Sequence, residues 1–513
     1  MQLMQQQFGL NAQVTQAWPA EPCRRSRQYF SRAKMGWLLG LITAVFLVGG
    51  CADTGNAGIE GTGDRAIKVT GTVTSFGSVW VNGVRVTTES AEIYRDGELI
   101  TEAQLQPGMV VHLTAHVSGS ETSNQETLSA QRIDTETLLR GPISAVTQLD
   151  SSRSALSMLG QTLIITEDSV LDDAHPLELV PGVWITASGL MGRDGVVLGT
   201  YIESADDQAS KVLTGFITAL DESENRFQLA QQSVDYSQTV FVQGVAQDIS
   251  DSALVRVWGQ LDSAGQFQAQ EVAGLPAPEL GDAGHEVAVE GLISDMHNSE
   301  QFTVQGYAID AQSAEFLRGA PDHLEIGARV SVQGTVTDNG DINAQSIYLI
   351  QPAENRLRGP VEAIDWQAGQ LTVLGNTLSV DALTVYRDRG PQADRRINIQ
   401  SIAEGDILDV YKRPSSIAQL GGPGVVTRLE RLSDLGDVSL KGPVGEVLSS
   451  QEIRVLGIVV DLSGLDSADW QGLDSGTFVT VVGVQTGSNS MQASAITVHS
   501  HPACVAPVHL ACD

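Results

Sequence analysis

The chain has 513 residues, of which 62 are Asp or Glu and 30 are Lys or Arg, so its formal net charge is −32 at pH 7. Nucleic-acid affinity comes largely from cationic groups that displace counterions from phosphates, so this charge argues against nucleic acid as a partner. Aromatic residues make up 5% of the sequence, and the 52 glycines lie among short apolar runs and polar turns, a composition typical of an all-β protein.

The first 50 residues have the pattern of an export signal. The apolar run at 37–48, WLLGLITAVFLV, has twelve residues, whereas a helix that crosses a bilayer needs about 20. The run is therefore too short for a permanent membrane span and fits the apolar part of a secretory signal peptide. The basic segment that precedes it contains Arg24, Arg25, Arg27, Arg32 and Lys34.

A cysteine ends this signal. Val48, Gly49 and Gly50 precede Cys51, and this arrangement resembles the bacterial lipobox, in which an aliphatic residue and two small residues precede an obligatory cysteine. The resemblance implies that the chain is cut before Cys51 and that this cysteine becomes a lipidated N-terminus held in the cell envelope. Ala52 follows, where an Asp would favour the inner membrane, so we expect anchoring in the outer membrane. The sequence leaves open whether the protein faces the periplasm or the outside.

After the signal, one pattern recurs along the chain. A glycine follows a short apolar strand at six positions, which are separated by 70, 74, 76, 68 and 83 residues. Self-similarity at a nearly fixed period indicates a repeat architecture, so we predict six tandem units. The six glycines and their surroundings are Gly71 in VTGTVTSF, Gly141 in LRGPISAV, Gly215 in LTGFITAL, Gly291 in VEGLISDM, Gly359 in LRGPVEAI and Gly442 in LKGPVGEV.

Each unit shows the same order of local signals. Two more strands follow the first and are joined by a turn that usually contains glycine, most clearly at Asn82-Gly83, where both turn positions need positive φ. Next comes a link that fits a short helix, clearest at 101–108 and 399–406. A fourth strand such as GARVSVQG and a fifth strand complete the unit, and the alternating valines indicate one buried face.

The unit thus has three strands, a short helix and two strands in about 70 residues, an order that resembles the five-stranded OB-type barrel. The units also resemble the bacterial family called domain of unknown function 5666, whose members open with a Gly-x-Val strand and carry a V-x-G hairpin, as residues 76–86 do here. The resemblance covers residues 66–498. It implies small OB-like β-barrels and an envelope setting, and it supplies no catalytic residues.

These signals divide the chain into a signal peptide, a tether, six barrels and a tail. Whether the barrels pack together or stay separate is left open. The predicted bounds are 1–50 for the signal peptide, 51–65 for the lipidated cysteine and a flexible tether, 66–133, 139–205, 211–273, 286–350, 356–430 and 439–498 for the six repeats, and 499–513 for the tail.

The tail, HSHPACVAPVHLACD, contains the two cysteines that remain after processing and lipidation, Cys504 and Cys512. In an exported protein a pair of spare cysteines most simply forms a disulfide. The alternative is a metal site for zinc or copper(I) that adds His499, His501 and His509 to the two cysteines. Both interpretations remain open.

The rest of the sequence contains few motifs that indicate a chemical activity. The sequence contains no phosphate-binding loop, no His-Glu-x-x-His motif and no Gly-x-Ser-x-Gly elbow, so we expect neither an enzyme nor a cofactor. His112 and His116 share one strand face but have no counterparts in the other units, which favours a structural role. We expect a lipid-anchored, non-catalytic binding or spacer scaffold whose partner is an envelope polysaccharide or protein. The alternative is a metal-binding envelope protein that uses the C-terminal His/Cys cluster.

Overall fold

The computed structural model describes residues 66–118, 127–172, 177–192, 194–242, 249–275, 277–390, 394, 396–413, 424–434 and 436–499. The described part consists of β-strands, turns and a few 3-10 turns, and it contains no α-helix, so the all-β prediction is confirmed. Within these ranges no helix has the length and apolar content of a transmembrane segment. The predicted signal peptide, the tether and the tail after His499 lie outside the described residues.

The strands are numbered along the chain. The first third contains β1 (Ala66–Ser75), β2 (Val79–Val81), β3 (Val84–Val86), β4 (Glu92–Arg95), β5 (Glu98–Ile100), β6 (Val110–Ser118), β7 (Thr127–Thr135), β8 (Leu139–Pro142), β9 (Ala145–Gln148), β10 (Arg153–Met158), β11 (Gln161–Thr166), β12 (Val170–Leu171), β13 (Trp184–Met191) and β14 (Val196–Ser204). Next come β15 (Lys211–Asp221), β16 (Arg226–Leu229), β17 (Gln232–Asp235), β18 (Val240–Phe241), β19 (Leu254–Leu261), β20 (Phe267–Gly274), β21 (Glu286–Asn298), β22 (Gln301–Val304), β23 (Tyr307–Asp310), β24 (Glu315–Arg318), β25 (Arg329–Val336) and β26 (Ile342–Leu349). The last third contains β27 (Asn355–Asp365), β28 (Gln370–Val373), β29 (Asn376–Ser379), β30 (Val385–Asp388), β31 (Ile407–Lys412), β32 (Gly424–Leu432), β33 (Val438–Ser449), β34 (Glu452–Val455), β35 (Ile458–Asp461), β36 (Phe478–Gly487) and β37 (Ser490–His499).

Five strands close into a small barrel. In the set β21–β26, strand β21 pairs with β22 and with β25, β22 pairs with β23, β23 runs parallel to β26, and β26 pairs with β25. The ring therefore follows the order first, second, third, fifth and fourth strand, as expected for an OB-type barrel. The hairpin turns agree with the sequence signals: Asn82 and Gly83 have φ of 48° and 78°. The predicted barrel fold is confirmed.

The predicted short helix between the third and fourth strands is wrong in length. The links at 101–108 and 399–406 contain single 3-10 turns, at Glu102–Gln104 and Ile399–Ser401. Two glycines with positive φ, Gly108 at 92° and Gly405 at 89°, end these links and turn the chain into the next strand. Similar 3-10 turns are found at Pro321–His323 and Ser467–Asp469.

The strand sets combine into three sheets. Sheet one joins β1–β7 to β21–β26 through the parallel pair β1 and β21, in which Ile67 lies beside Glu286. Sheet two joins β8–β14 to β15–β20 through antiparallel β8 and β15. Sheet three joins β27–β32 to β33–β37 through antiparallel β27 and β33. The two strand sets of sheet one are therefore separated along the chain by all the strands of sheet two.

The three sheets pack against one another. Sheets two and three each enclose an apolar core that is shared by both of their strand sets. Val110, Leu190 and Leu292 form a buried cluster between sheets one and two, and burial of each side chain contributes about 1.5–3 kcal/mol. Tyr348 packs with Leu383 between sheets one and three. The sequence left the arrangement of the units open, and the structure shows that they pack into one body.

Candidate ligand-binding cleft

A cavity of about 910 Å³ lies between strand set β8–β14 and the outer face of sheet three. We call it the cleft. Its floor is formed by side chains of sheet three, and its opposite wall by the β9–β10 hairpin and the residues around β12. The lining contains five Lys or Arg residues, although acidic residues outnumber basic residues two to one in the whole chain. The five are Arg356, Arg387, Arg389, Arg428 and Lys441.

Strand register places the charged residues of the floor in two rows. Leu408 and Val410 lie in the apolar core, so the alternating residues Asp409 and Tyr411 of β31 lie on the outer face. The first row crosses β30, β32, β31 and β27 and consists of Arg387, Glu430, Asp409 and Arg358. The second row crosses β32, β31, β27 and β33 and consists of Arg428, Tyr411, Arg356 and Lys441.

Two buried carboxylates hold the arginines of these rows. The side chain of Asp409 is 0% exposed and accepts hydrogen bonds from Arg356 Nε at 2.6 Å and Arg358 Nη2 at 2.7 Å. Charge-assisted bonds of this kind are shorter and stronger than neutral ones. Each guanidinium is thereby fixed on the outer face of the sheet.

Glu430 holds three more guanidinium groups. Its carboxylate is 1% exposed and lies 2.8 Å from Arg387 Nη1, 3.2 Å from Arg389 Nη1 and 3.5 Å from Arg428 Nη1. Burial by itself raises the pKa of this carboxyl, but the three positive charges outweigh burial and lower the pKa to about 2. Glu430 is therefore ionised at neutral pH. Together, five guanidinium groups surround two carboxylates.

The ring of Tyr411, in the second row, stacks against two of these arginines. The guanidinium carbons of Arg428 and Arg356 lie 3.8 Å and 4.9 Å from the centre of its ring. Both distances are within the range of cation–π attraction. Burial raises the pKa of the Tyr411 phenol to about 12, so the ring stays neutral. The stacking fixes the planes of both guanidinium groups.

The opposite wall is acidic and is tied to the floor at its base. Arg387 Nη2 donates to the Leu171 carbonyl at 2.9 Å, and Arg428 Nη1 donates to the Ser169 carbonyl at 2.8 Å. Lys441 forms an ion pair with Glu167. Above these contacts the wall carries hydroxyl, amide and carboxylate groups from Gln148, Asp150, Ser151, Ser152, Ser154 and Asp172. The cleft is therefore polarised, with a basic floor and an acidic, hydroxyl-bearing wall.

Comparison with known families identifies the repeated unit. The family described as "Domain of unknown function (DUF5666)" matches residues 140–203, 214–273, 290–348 and 358–416. The chain contains tandem DUF5666 domains. The match confirms the resemblance seen in the sequence, while the number of six repeats and their exact bounds stay predictions.

Two further comparisons add nothing on function. No curated protein matches the chain. Among solved structures, drosophila Unr CSD456 is 15% identical over 42% of this chain and 97% of its own, with a TM-score of 0.13. A similarity at that TM-score carries no argument.

The cleft lies between the first and the last of the four matched DUF5666 domains. The first, residues 140–203, supplies most of the opposite wall. The last, residues 358–416, supplies Arg387, Arg389 and Tyr411, and Arg428 and Glu430 follow it on β32. The cleft therefore exists only because domains that are distant in sequence pack together.

The structure describes one residue of the predicted tail site. His499 ends β37 and lines the cleft, and its Nε2 lies 2.8 Å from Thr480 Oγ1. Burial lowers its pKa. Within the described ranges, no three His, Cys, Asp or Glu side chains are placed to hold a metal ion. The other predicted positions lie outside the described residues: Cys51, His501, Cys504, His509 and Cys512. Disulfide, metal site and lipidation therefore stay predictions.

The structure shows the surroundings of His112 on β6. His112 Nδ1 lies 3.0 Å from Thr70 Oγ1 on the neighbouring strand β1. Burial lowers the His112 pKa, which keeps the ring neutral at pH 7. A neutral, hydrogen-bonded ring inside a sheet needs no ligand.

Sequence reasoning missed the arginines of the cleft. Several lie on strands where charged residues alternate with apolar ones, as in Arg356-Leu357-Arg358 and Arg428-Leu429-Glu430, whereas Arg389 follows the end of β30. Such alternation normally indicates a strand with one solvated face. A signal was nevertheless present, because Arg-x-Arg occurs at 356–358 and again at 387–389 in a strongly acidic chain.

Proposed function

We propose that the protein is a non-catalytic ligand-binding scaffold, anchored in the bacterial cell envelope through a lipid on Cys51. The observation that carries the binding role is the cleft of about 910 Å³, since ligand sites usually have volumes of about 300–1,000 Å³. The envelope location rests on the signal-like segment and on the lipobox-like residues before Cys51.

Binding is favoured over catalysis by the state of the acidic groups in the cleft. A general base works best when its pKa lies near the operating pH. The pKa of Glu430 is about 2, and its carboxylate is enclosed by three guanidinium groups. Asp409 is likewise buried beneath Arg356 and Arg358. Both carboxylates hold arginines, and the lowered pKa of Glu430 makes it a poor proton acceptor.

Binding is also favoured over spacing by the way the domains pack. A spacer of tandem barrels reaches far only when its barrels stay separate. Here β1 and β21 pair directly, and Thr72 donates its backbone N–H to Glu290, 218 positions away, at 2.8 Å. The chain folds back on itself, which shortens its reach.

The proposal is tested with the mature chain carrying Cys51→Ser, which keeps the protein out of the membrane. We expect this protein to retain polysaccharide or protein from solubilised envelope fractions and to release it unchanged in mass. Release of a chemically altered ligand would show catalysis. Failure to retain any envelope component would contradict the binding role.

A further inference from the structure

We propose that the cleft binds a sugar-sized ligand that carries an oxyanion, either a carboxylate or a phosphate, on a hydroxyl-rich body. This inference rests on the proposed binding function and names the class of ligand. It follows from the partly exposed guanidinium groups of the floor, whose carboxylate partners are buried, and from the different chemistry of the opposite wall.

The charge of the floor is the first step. Five guanidinium groups contact two buried carboxylates, Asp409 and Glu430, and four of these five arginines line the cleft. The carboxylates are 0% and 1% exposed, whereas the side chains of Arg356 and Arg389 are 30% and 38% exposed. The solvent side of the floor therefore presents guanidinium groups. These groups match carboxylate and phosphate oxygens with two parallel hydrogen bonds.

Domain packing does not account for all of these arginines. Arg387 and Arg428 donate to carbonyls of the opposite wall and help to fix it. Arg356 and Arg358 instead donate to Asp409 within their own sheet. In addition, Arg428 Nε is a buried donor with no acceptor among the described residues. A buried donor of this kind costs free energy unless an oxygen satisfies it.

The opposite wall limits what else the ligand can be. Asp172 lines this wall and repels a polymer that is negatively charged along its whole length, whereas the Asp150 carboxylate is paired with Arg153 Nε at 2.5 Å. Ser151, Ser152 and Ser154 line the same wall, and the hydroxyls of Ser152 and Ser154, which donate to Asp150 and Gln148, keep lone pairs that can accept from a ligand. A ligand with its oxyanion on the floor and neutral hydroxyls towards the wall satisfies both surfaces. Acidic sugars and sugar phosphates have this chemistry.

The test measures binding to the mature Cys51→Ser protein by calorimetry with four probes: trigalacturonic acid, glucose 1-phosphate, maltotriose and inorganic phosphate. We expect trigalacturonic acid, glucose 1-phosphate or both to bind more tightly than maltotriose and inorganic phosphate. Which of the two binds identifies the oxyanion. Equal binding of maltotriose would show a cleft that does not select charge, and equal binding of inorganic phosphate would show an adventitious ion only. Either result overturns the inference.

Variants locate the binding on the floor of the cleft. Arg389→Gln should weaken binding of the acidic probe about tenfold, because it removes one charge-assisted contact. Arg454→Gln is the matched control, since Arg454 is 39% exposed on β34 and pairs with Glu446 outside the cleft. Equal losses in both variants would overturn the inference, as would no binding of either acidic probe. If neither acidic probe binds but the protein still retains an envelope component, the binding function is supported and this ligand class is wrong.

Discussion

Asp409 on β31 and Glu430 on β32 lie directly opposite each other, and both side chains are buried. Two like charges in this position repel each other. The pair is stable because two guanidinium groups contact Asp409 and three contact Glu430. Carboxylates and arginines therefore depend on one another, and a change at either carboxylate affects both the stability of sheet three and the floor of the cleft.

Removal of one buried charge should expose this dependence. Glu430→Gln should lower the free energy of unfolding by about 3 kcal/mol, because Arg387, Arg389 and Arg428 lose the charge that compensates them. Urea unfolding followed by circular dichroism measures the loss. Glu446→Gln is the control, since that carboxylate is 62% exposed and its pair with Arg454 contributes less than about 1 kcal/mol. Equal losses in the two variants would contradict the prediction.

The same residue should give a specific pH dependence. The pKa of Glu430 falls from its ordinary value of 4.5 to about 2 in the folded protein. A lowered pKa means that the carboxylate stabilises the fold fully above pH 4.5 and that this contribution disappears as the pH falls from about 4.5 to about 2. The difference in unfolding free energy between wild type and Glu430→Gln should therefore shrink across that window. A difference that stays constant with pH would contradict this assignment.

The fold was predictable because its signals are local. Alternating valines set the buried faces of the strands, and Asn82-Gly83 specified a hairpin turn whose φ angles are positive, as found. The short helix was overpredicted because the sequence of each link permits a helix, whereas each link contains a single 3-10 turn that is followed by a glycine with positive φ.

The cleft was not predictable in the same way. The pairing of β1 with β21 joins distant parts of the chain and has no local signal. Likewise, Arg356-x-Arg358 and Arg428-x-Glu430 have the pattern of ordinary solvated strand faces. Only the strand register brings them into two rows, and only the packing of β8–β14 covers them.

The contact between β1 and β21 yields a third prediction. Glu290 is 1% exposed and accepts bonds from the Thr72 backbone N–H at 2.8 Å, the Thr72 hydroxyl at 3.0 Å and Arg329 Nε at 2.7 Å. Glu290→Ala should cost about 3 kcal/mol, since it leaves the half-buried Arg329 guanidinium without its carboxylate partner. Amide hydrogen exchange of β1 and β21 should become faster.

Thr72→Val provides a graded comparison at the same contact. It removes the hydroxyl, which donates to Glu290 and accepts from Arg329 Nη2 at 2.9 Å, but keeps the backbone bond, so each of the two lost bonds should cost about 1 kcal/mol. An unchanged exchange rate of β1 in Glu290→Ala would show that this network does not join the two strand sets.

A fourth prediction concerns the membrane anchor. Lipidation requires the thiol of Cys51, so the native protein should enter the detergent phase of a phase-separated extract, and Cys51→Ser should remain soluble or unprocessed. Mass spectrometry of the mature N-terminus provides the second readout, because a diacylated cysteine is far heavier than an unmodified one. Equal partitioning of the two proteins would rule out the anchor.

The last prediction concerns the tail. A disulfide between Cys504 and Cys512 would close a loop of nine residues, and loop entropy then contributes about 2.6 kcal/mol. That is enough to hold a chain end in place but small beside the packing of the sheets, so Cys504→Ser with Cys512→Ser should leave the main unfolding transition nearly unchanged.

Intact-mass analysis under non-reducing conditions distinguishes the disulfide from a metal site. A disulfide lowers the mass by two hydrogens, and the mass should then be the same in native and denaturing spray. A site formed by His499, His501, Cys504, His509 and Cys512 would instead retain zinc or copper in native spray, release it on denaturation and show two free thiols. Replacing His499 by Gln separates the cases again, because it should weaken a metal site while leaving a disulfide intact. We expect the disulfide, since spare cysteines of exported proteins pair in an oxidising compartment.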